Sequence, residues 1–294
     1  MFKSLIHTVV ASIAFLGSLL TLVIFADTYF GKLNDEGQIA VIFLGGISFY
    51  NLVVVLLYQL KWERKVRYAE VLPHINFGFS YVHQELRNQN ADVDKIASSC
   101  ERVCTQVAHA FSVITGTSCS VSIKVLVQDS MGSGDTKVKV ITLSRDQQSA
   151  SLRNYPSPVK HWIDDNTDFK FLLENISTPR GRYFFSNQLP YRADYKNTSS
   201  DLYGGEPHAK RIPGWHSLIR YWRWHLPYKS TIVVPICPAS SSQRTQDKLI
   251  GYFCVDSPRM GAFKKQHDVD LMEGVADGLY NVISAYVKQL KENN

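Results

Sequence analysis

The chain has 294 residues, of which 45% are apolar, 12% aromatic and 20% charged. This composition suits one ordinary domain with an additional segment, and it excludes a disordered tail and a disulfide-rich mini-protein. Five cysteines without a CxxC pair give no sign of a disulfide framework or a zinc ribbon. The net charge of +6 arises after residue 61, because three lysines balance three carboxylates within residues 1–61.

Two uncharged stretches dominate the N-terminal part, at residues 4–26 and 37–60. Each exceeds the roughly 20 residues that a helix needs to cross a hydrocarbon core. The sequence therefore predicts a transmembrane helical hairpin over residues 1–61, with a cleaved signal peptide as the competing interpretation of the first stretch. Basic residues crowd the exit of the second stretch, which predicts a multi-pass protein of the plasma (inner) membrane with cytoplasmic N and C termini.

Residues 62–79 are basic and aromatic and are predicted as a juxtamembrane linker, with Pro73 interrupting any continuous helix. Apolar residues then recur at three- and four-residue steps from Val82 to Ile114, which predicts a long amphipathic helix. Cys100 and Cys104 fall on its apolar face, where we expect them to be buried.

Beyond this helix the sequence predicts an α+β domain, residues 80–294, with a central antiparallel sheet flanked by helices. Alternation of apolar and polar residues predicts strands at 118–129, 136–144, 182–186, 230–238 and 248–257. Helical spacing predicts helices at 159–175 and 271–290.

The last part of the chain resembles the C-terminal half of a GAF domain. The resemblance begins with a strand that contains Val-Pro, at Ser230–Ile236, and a strand that contains Ile-Gly, at Leu249–Pro258. Phe263 and Asp268 then precede the closing helix. Pro235 fits a strand position that needs no ladder donor, and Gly251 allows close backbone approach. A PAS-type sensor is the nearest alternative.

The resemblance implies a signalling sensor, bacterial in type, with a pocket for cyclic nucleotides, bilins, haem or amino-acid-like molecules. The sequence departs from the known subtypes, because it has no Asn-Lys-x-Asp-Glu run and no cysteine between 187 and 229. Cys119, Cys237 and Cys254 lie in strand-like runs, which favours inert packing over redox chemistry. Without a Walker loop, GxSxG, HExxH or kinase motif, we expect a non-catalytic protein without a metal.

The segment 187–229 is an insert that combines a net charge of +4 with many aromatic residues. Arginine forks and flat rings suit an anionic aromatic ligand such as a nucleotide. Candidate ligand-binding residues are Tyr203, His208, Arg211, Trp215, Arg220, Arg223 and Trp224. A solvated lid helix and a basic helix lying on lipid headgroups are the other interpretations.

The sequence therefore predicts a membrane-tethered small-molecule sensor of GAF type. Two alternatives stay open: a ligand-gated membrane-disrupting effector with two transmembrane helices, and a GAF-like protein-interaction scaffold. We expect a homo-oligomer through the terminal helices and no specific nucleic acid partner. The sequence names no cofactor.

Overall fold

The structure is a computed structural model. Apart from a few single positions before residue 30, it describes residues 35–87, 93–130, 136–152, 161–192, 194–203, 224–238 and 244–292. The chain divides into two compact units, residues 1–69 and 70–294.

The first long helix, α1, runs from Asp35 to Arg87 and passes through Pro73. The predicted interruption at this proline is therefore wrong. Proline costs a helix interior about 3 kcal/mol, but Val71 and Ile75 on either side are 1% and 6% exposed. Their burial holds the helix together across the proline.

The predicted membrane segments are also corrected. Residues 37–60 are the first part of α1, which continues through the charged residues Lys65 and Arg67 instead of ending as a separate span. None of the helices in the described ranges combines the length and apolar content that crossing a membrane requires. The predicted transmembrane hairpin and multi-pass membrane localisation are therefore wrong for the part of the chain that the structure describes. Residues 4–26 lie almost entirely outside it.

Six strands form one antiparallel sheet in the order β3-β2-β1-β6-β5-β4. The strands are β1 (Ser120–Ser130), β2 (Thr136–Arg145), β3 (His161–Trp162), β4 (Phe184–Ser186), β5 (Ser230–Ile236) and β6 (Gly251–Ser257). The other helices are α2 (Val93–Thr115), α3 (Gln147–Leu152), α4 (Thr167–Asn175) and α5 (Lys265–Glu292). The predicted antiparallel sheet with flanking helices is confirmed.

One face of the sheet packs against α2 and α5. Its inward residues Val121, Ile123 and Val125 are at most 1% exposed, as the alternation along β1 requires. Phe263 anchors the entry to α5, since its ring meets that of Phe111 edge-on at 5.9 Å. Cys100 and Cys104 are buried on α2, as predicted.

The C-terminal part of α1 joins this helical layer. The rings of His74 and His109 meet edge-on at 4.6 Å. Gly278 on α5 lies so close to Phe79 that an added Cβ would stand 2.7 Å from the ring. Residues 70–87 are therefore an integral part of the second unit.

The opposite face of the sheet is covered by α4 and the segments around it. A second apolar cluster here includes Phe169, Leu172, Phe184, Leu189 and Tyr252. This cluster surrounds a polar area in the middle of the sheet, where the candidate site lies.

Two predicted elements differ in detail from the structure. The predicted helix 159–175 is the strand β3, a short 3-10 turn and then α4; two residues of strand are too few to show a period in the sequence. The predicted helix from Val82 to Ile114 is the end of α1 followed by α2.

Candidate functional site

A polar cavity lies on the α4 side of the sheet. Strand residues form its floor, and residues from β3, the start of α4 and the segments around 197–199 and 228 complete its wall. Its lining consists of Ser122, Lys124, Arg145, His161, Asn166, Asp168, Phe169, Asn197, Ser199, Tyr228, Thr231, Val233, Cys254 and Asp256. The cavity volume is about 20 Å³, which is room for one or two water molecules.

Strand register explains how distant residues meet at this floor. Ser122 on β1 stands opposite Arg145 on β2 and Cys254 on β6. Asp256 stands opposite Thr231 on β5, and the Thr231 hydroxyl donates to Asp256 Oδ1 at 2.7 Å. Successive side chains of a strand point to opposite faces of the sheet. The residues between these positions therefore face α2 and α5, and these polar residues face the cavity.

A chain of hydrogen bonds fixes His161 at the wall of the cavity. The Thr198 hydroxyl donates to Asn166 Oδ1 at 3.2 Å, and His161 Nδ1 lies 2.6 Å from the same hydroxyl. Since that hydroxyl has one proton, Nδ1–H of His161 is assigned as the donor, which leaves Nε2 unprotonated. Burial first, and then Lys124 and Arg145, lower the pKa of His161 to about 3, so the imidazole is neutral at neutral pH.

Asp168 is the most deeply buried acid of the cavity, at 3% exposure. Its carboxylate accepts from the Phe169 amide at 2.9 Å and from the Tyr195 hydroxyl at 3.2 Å. Burial raises the pKa of Asp168 to about 6, and the nearby Asp256 carboxylate adds to the rise. The acid therefore changes charge close to neutral pH.

Lys124 carries a positive charge onto the floor. Its Nζ donates to Thr142 Oγ1 at 3.3 Å and lies 5.7 Å from the centroid of the Phe169 ring. That ring stacks on Tyr252 at 4.8 Å, and the Tyr252 hydroxyl donates to the Phe169 carbonyl at 3.1 Å. The start of α4 is thus tied to the sheet next to the cavity.

The cysteines are all buried, as predicted for Cys119, Cys237 and Cys254. Cys254 lines the cavity, but burial raises the pKa of its thiol far above neutrality. Burial likewise raises the pKa of Cys119 to about 11. A thiol rather than the nucleophilic thiolate is present at neutral pH.

Most of the residues predicted from the insert lie outside the described residues: His208, Arg211, Trp215, Arg220 and Arg223. Tyr203 ends the 3-10 segment that begins at Thr198. Trp224 packs against the apolar cluster beside the cavity, where its Nε1–H donates to the Tyr228 carbonyl at 2.6 Å. It is not one of the residues that line the cavity.

Sequence reasoning missed the charged residues of the cavity. A signal for Lys124 was present, because Ser122 and Lys124 alternate with buried apolar residues along β1. A single Asp256 within the otherwise apolar β6 was a second signal. Asp168 gave none, since its role depends on residues distant in sequence.

No family model matches the chain, and no curated protein matches it. Among solved structures, it is similar to the GAF domain of the phosphoenolpyruvate-protein phosphotransferase from Acinetobacter, with 10% identity, 78% of this chain and 97% of that chain covered, and a TM-score of 0.39.

Two further solved structures represent different activities. The chromophore-binding domain of a bacteriophytochrome from R. palustris has 12% identity, 75% of this chain and 63% of that chain covered, and a TM-score of 0.40. The type II free methionine-R-sulfoxide reductase from Thermoplasma acidophilum has 14% identity, with 65% of this chain and 96% of that chain covered, and a TM-score of 0.37. Identities and TM-scores this low assign no function to the chain.

Proposed function

We propose that residues 70–294 form a GAF-like sensor module that binds a small polar molecule in the cavity beside α4. The observation that carries this proposal is the contrast between the two faces of the sheet. One face is apolar and sealed by helices, whereas the other collects buried polar and charged side chains around a cavity. Burying polar groups costs free energy that their hydrogen bonds only partly offset, so their concentration on this face supports a binding role.

The proposed role is binding without chemistry. The Cys254 thiol is protonated at neutral pH because burial raises its pKa. His161 has a pKa of about 3, far below the range that suits a general acid or base at neutral pH. Asp168 is held by the Phe169 amide and the Tyr195 hydroxyl. The thiol and the imidazole are therefore poorly suited to catalysis at neutral pH, and the proposal assigns Asp168 to ligand binding.

The size of the cavity supports a sensor rather than a simple carrier. A space of about 20 Å³ admits a metabolite only if part of the wall moves, so binding is coupled to a change of conformation. A ligand shifts a protein between two states when it binds one of them more tightly. In this proposal the ligand stabilises the state in which the wall has moved and the cavity is larger.

A physical connection to the C-terminal helix is present. The segment after α4 forms the 3-10 turn Pro179–Arg182, and the Arg182 guanidinium makes two hydrogen bonds to the Glu273 carboxylate on α5. Glu273 is only 8% exposed, and Arg244 lies 3.9 Å from it. A displacement of α4 can therefore pass to α5.

Membrane tethering is not part of this proposal. No contact of the described residues favours a membrane-disrupting effector over a sensor. Association through the terminal helices and the absence of a nucleic acid partner stay predictions. A scaffold without a ligand is an outcome of the test below.

The test is a thermal-shift screen of the full chain against linear and cyclic nucleotides, haem, bilins and amino acids. A ligand at about 100 times its dissociation constant adds roughly 2.7 kcal/mol to stability. A ligand of the cavity should stabilise the wild type and the control Lys137→Gln, an exposed lysine on β2, but not Lys124→Gln. A panel without any stabilising compound, or equal stabilisation of all three proteins, would contradict the proposal.

A further inference from the structure

The segment 194–200, which we call the strap, lies against the start of α4 beside the cavity. The Thr167 amide donates to the Lys196 carbonyl at 3.0 Å, and the Lys196 amide donates to the Thr167 hydroxyl at 2.8 Å. Asn197 and Ser199 of the strap line the cavity. The strap is therefore a part of the cavity wall that hydrogen bonds attach to α4.

One residue of the strap, Thr198, pairs with polar groups of two cavity residues. Its amide and its hydroxyl both donate to Asn166 Oδ1, each at 3.2 Å. The same hydroxyl oxygen accepts from His161 Nδ1 at 2.6 Å. Asn166 and His161 are 0% and 8% exposed, and both line the cavity. Thr198 thus offers two donors and one acceptor to buried groups that a ligand of the cavity would meet.

The Asn166 amide is held in one orientation from its other end. Its Nδ2–H donates to the Trp162 carbonyl at 2.6 Å, so its Oδ1 is the atom that faces Thr198. A buried donor or acceptor that loses its partner costs free energy. The strap therefore leaves this position readily only when another molecule offers Asn166 and His161 the same hydrogen bonds.

The strap also has an apolar anchor, which lies before Thr198. The Tyr195 ring packs against the apolar cluster beside the cavity, 6.1 Å from the Phe184 ring and 6.2 Å from the Trp224 ring. Thr198, in contrast, is tied to Asn166 and His161 by hydrogen bonds. Thr198 can therefore move out while the anchor stays, and the bonds that break are ones that a polar ligand can replace.

We infer that Thr198 occupies the position of a vicinal diol, and that the ligand of the cavity is a polyhydroxy compound whose diol replaces it. The nitrogen and the hydroxyl oxygen of threonine are carried by adjacent carbons, as the two hydroxyls of a vicinal diol are. Such a diol offers two donors for Asn166, and either of its oxygens can accept from His161. This inference rests on the proposed function.

In this arrangement the strap is a built-in competitor of the ligand. The binding-competent state is the one in which Thr198 has left Asn166 and His161. The apparent affinity falls in proportion to the population of that state. A change that weakens the hold on Thr198 should therefore tighten ligand binding, which a residue with a purely structural role would not do.

The first test is isothermal titration calorimetry of the full chain with glucose, myo-inositol, glycerol and adenosine. Two of these have a matched compound without a vicinal diol: propane-1,3-diol for glycerol and 2′-deoxyadenosine for adenosine. We expect at least one diol to bind, and its matched compound to bind about tenfold more weakly, because hydrogen bonds are lost and buried groups stay unpaired. Binding of adenosine alone would identify the diol as that of a ribonucleoside, and binding of the others would identify a sugar or polyol.

The second test is the variant Thr198→Val, which removes the hydroxyl and keeps a branched side chain. Its thermal stability without ligand should fall, whereas the diol should bind about fivefold more tightly, which is the effect of one net hydrogen bond. Thr178→Val is the matched control, because the Thr178 hydroxyl bonds the Asn175 carbonyl and the Arg180 amide instead. It should lower stability without changing the affinity.

Hydrogen–deuterium exchange of the free protein gives a readout that needs no ligand. The amides of Lys196 and Thr198 should exchange faster in Thr198→Val than in the wild type, and those of β5 and β6 should keep their rates. The comparison of matched compounds on the wild type stands even if the variant fails to fold.

The outcomes separate this inference from the proposed function. A compound without a vicinal diol that binds in a Lys124-dependent way would overturn the inference while leaving the sensor. A diol that binds Thr198→Val no more tightly than the wild type would also overturn it. If neither these diols nor any other compound of the screening panel binds, both the inference and the proposed function fail.

Discussion

The Tyr195 hydroxyl donates a hydrogen bond of 3.2 Å to Asp168 Oδ2, and the two groups are separated by 27 positions in the chain. Burial raises the pKa of both groups, and the Asp168 carboxylate adds to the rise for Tyr195, whereas the hydrogen bond from Tyr195 opposes the rise for Asp168. The pair holds a proton-sensitive carboxylate at the wall of the cavity.

Asp168→Asn should stabilise the protein without ligand at pH 8. The folded-state pKa of about 6 lies above the ordinary value of 3.8, so the folded protein binds the proton more tightly than the unfolded chain. The contribution of Asp168 to the stability of the wild type therefore falls as pH rises from about 4 to about 6. A shift of this size corresponds to about 3 kcal/mol, and the asparagine removes that loss while keeping an acceptor for the Phe169 amide.

Urea unfolding of Asp168→Asn and wild type at pH 4 and pH 8 measures this effect. The gain should be present at pH 8 and small at pH 4. Asp164→Asn should change stability little at either pH, because its ion pair with Lys170 is exposed. Loss of stability by Asp168→Asn at pH 8 would show that the carboxylate is stabilised where it lies.

His161→Gln should make the protein less sensitive to acid. The folded-state pKa of about 3 lies below the ordinary 6.5, so the unfolded chain takes up the proton first. Stability from this residue is complete above pH 6.5 and is lost as pH falls toward 3. Between pH 4 and 6 this slope opposes that of Asp168, and the wild type should vary little there.

The measurement is the free energy of unfolding as a function of pH for wild type, His161→Gln and the exposed control His225→Gln. In His161→Gln the Asp168 slope should emerge, with stability rising as pH falls from 6 to 4. If His161→Gln and His225→Gln give the same pH profile, His161 is not the group responsible.

Asn166→Ala should destabilise the protein by about 2–4 kcal/mol, as expected when several buried hydrogen bonds are broken. Asn166 is fully buried, donates to the Trp162 carbonyl and accepts from the amide and hydroxyl of Thr198. Its loss removes one hydrogen bond from each of these groups. Asn175→Ala removes one local bond to Phe171 and should cost about 1 kcal/mol or less. Equal losses in the two variants, measured by chemical denaturation, would argue against a special role for Asn166.

Gly251→Ala should destabilise the sheet by about 2 kcal/mol or more. An added Cβ would stand 2.1 Å from the Lys124 carbonyl oxygen, which is backbone and cannot move aside easily. Gly274→Ala is the contrasting control, because a Cβ on this helical glycine meets nothing within 4 Å and alanine favours the helix by about 1 kcal/mol. Thermal unfolding should move in opposite directions for the two variants, and a shift in the same direction would contradict the packing described at Gly251.

Local patterns predicted the elements whose stability is local. The hairpins β1–β2 and β5–β6 alternate in polarity over many residues, and α5 has a continuous apolar stripe, so period alone identifies them. The two-residue strand β3 has no period to detect, and it exists because it pairs with β2 at Lys139 and Val140. At Pro73 the sequence predicted a break that the structure does not have. The burial of Val71 and Ile75 outweighs the tendency of proline to break a helix.

The candidate site was harder to predict for the same physical reason. Its members come from different strands and from α4, and only strand register brings Arg145, Ser122 and Cys254 into one row. Charge and aromatic content drew attention to the insert, where Trp224 lies beside the cavity. Asp168 becomes notable only once the fold places it close to Asp256.

The most direct measurement is equilibrium dialysis of the full chain against a defined mixture of polar metabolites, read out by mass spectrometry. Wild type is compared with the double variant Lys124→Gln/Asp168→Asn and with the matched control Lys137→Gln/Asp164→Asn. A ligand of the cavity should be enriched by wild type and control and not by the cavity variant. No enrichment by wild type, or equal enrichment by all three proteins, would contradict a ligand-binding cavity beside α4.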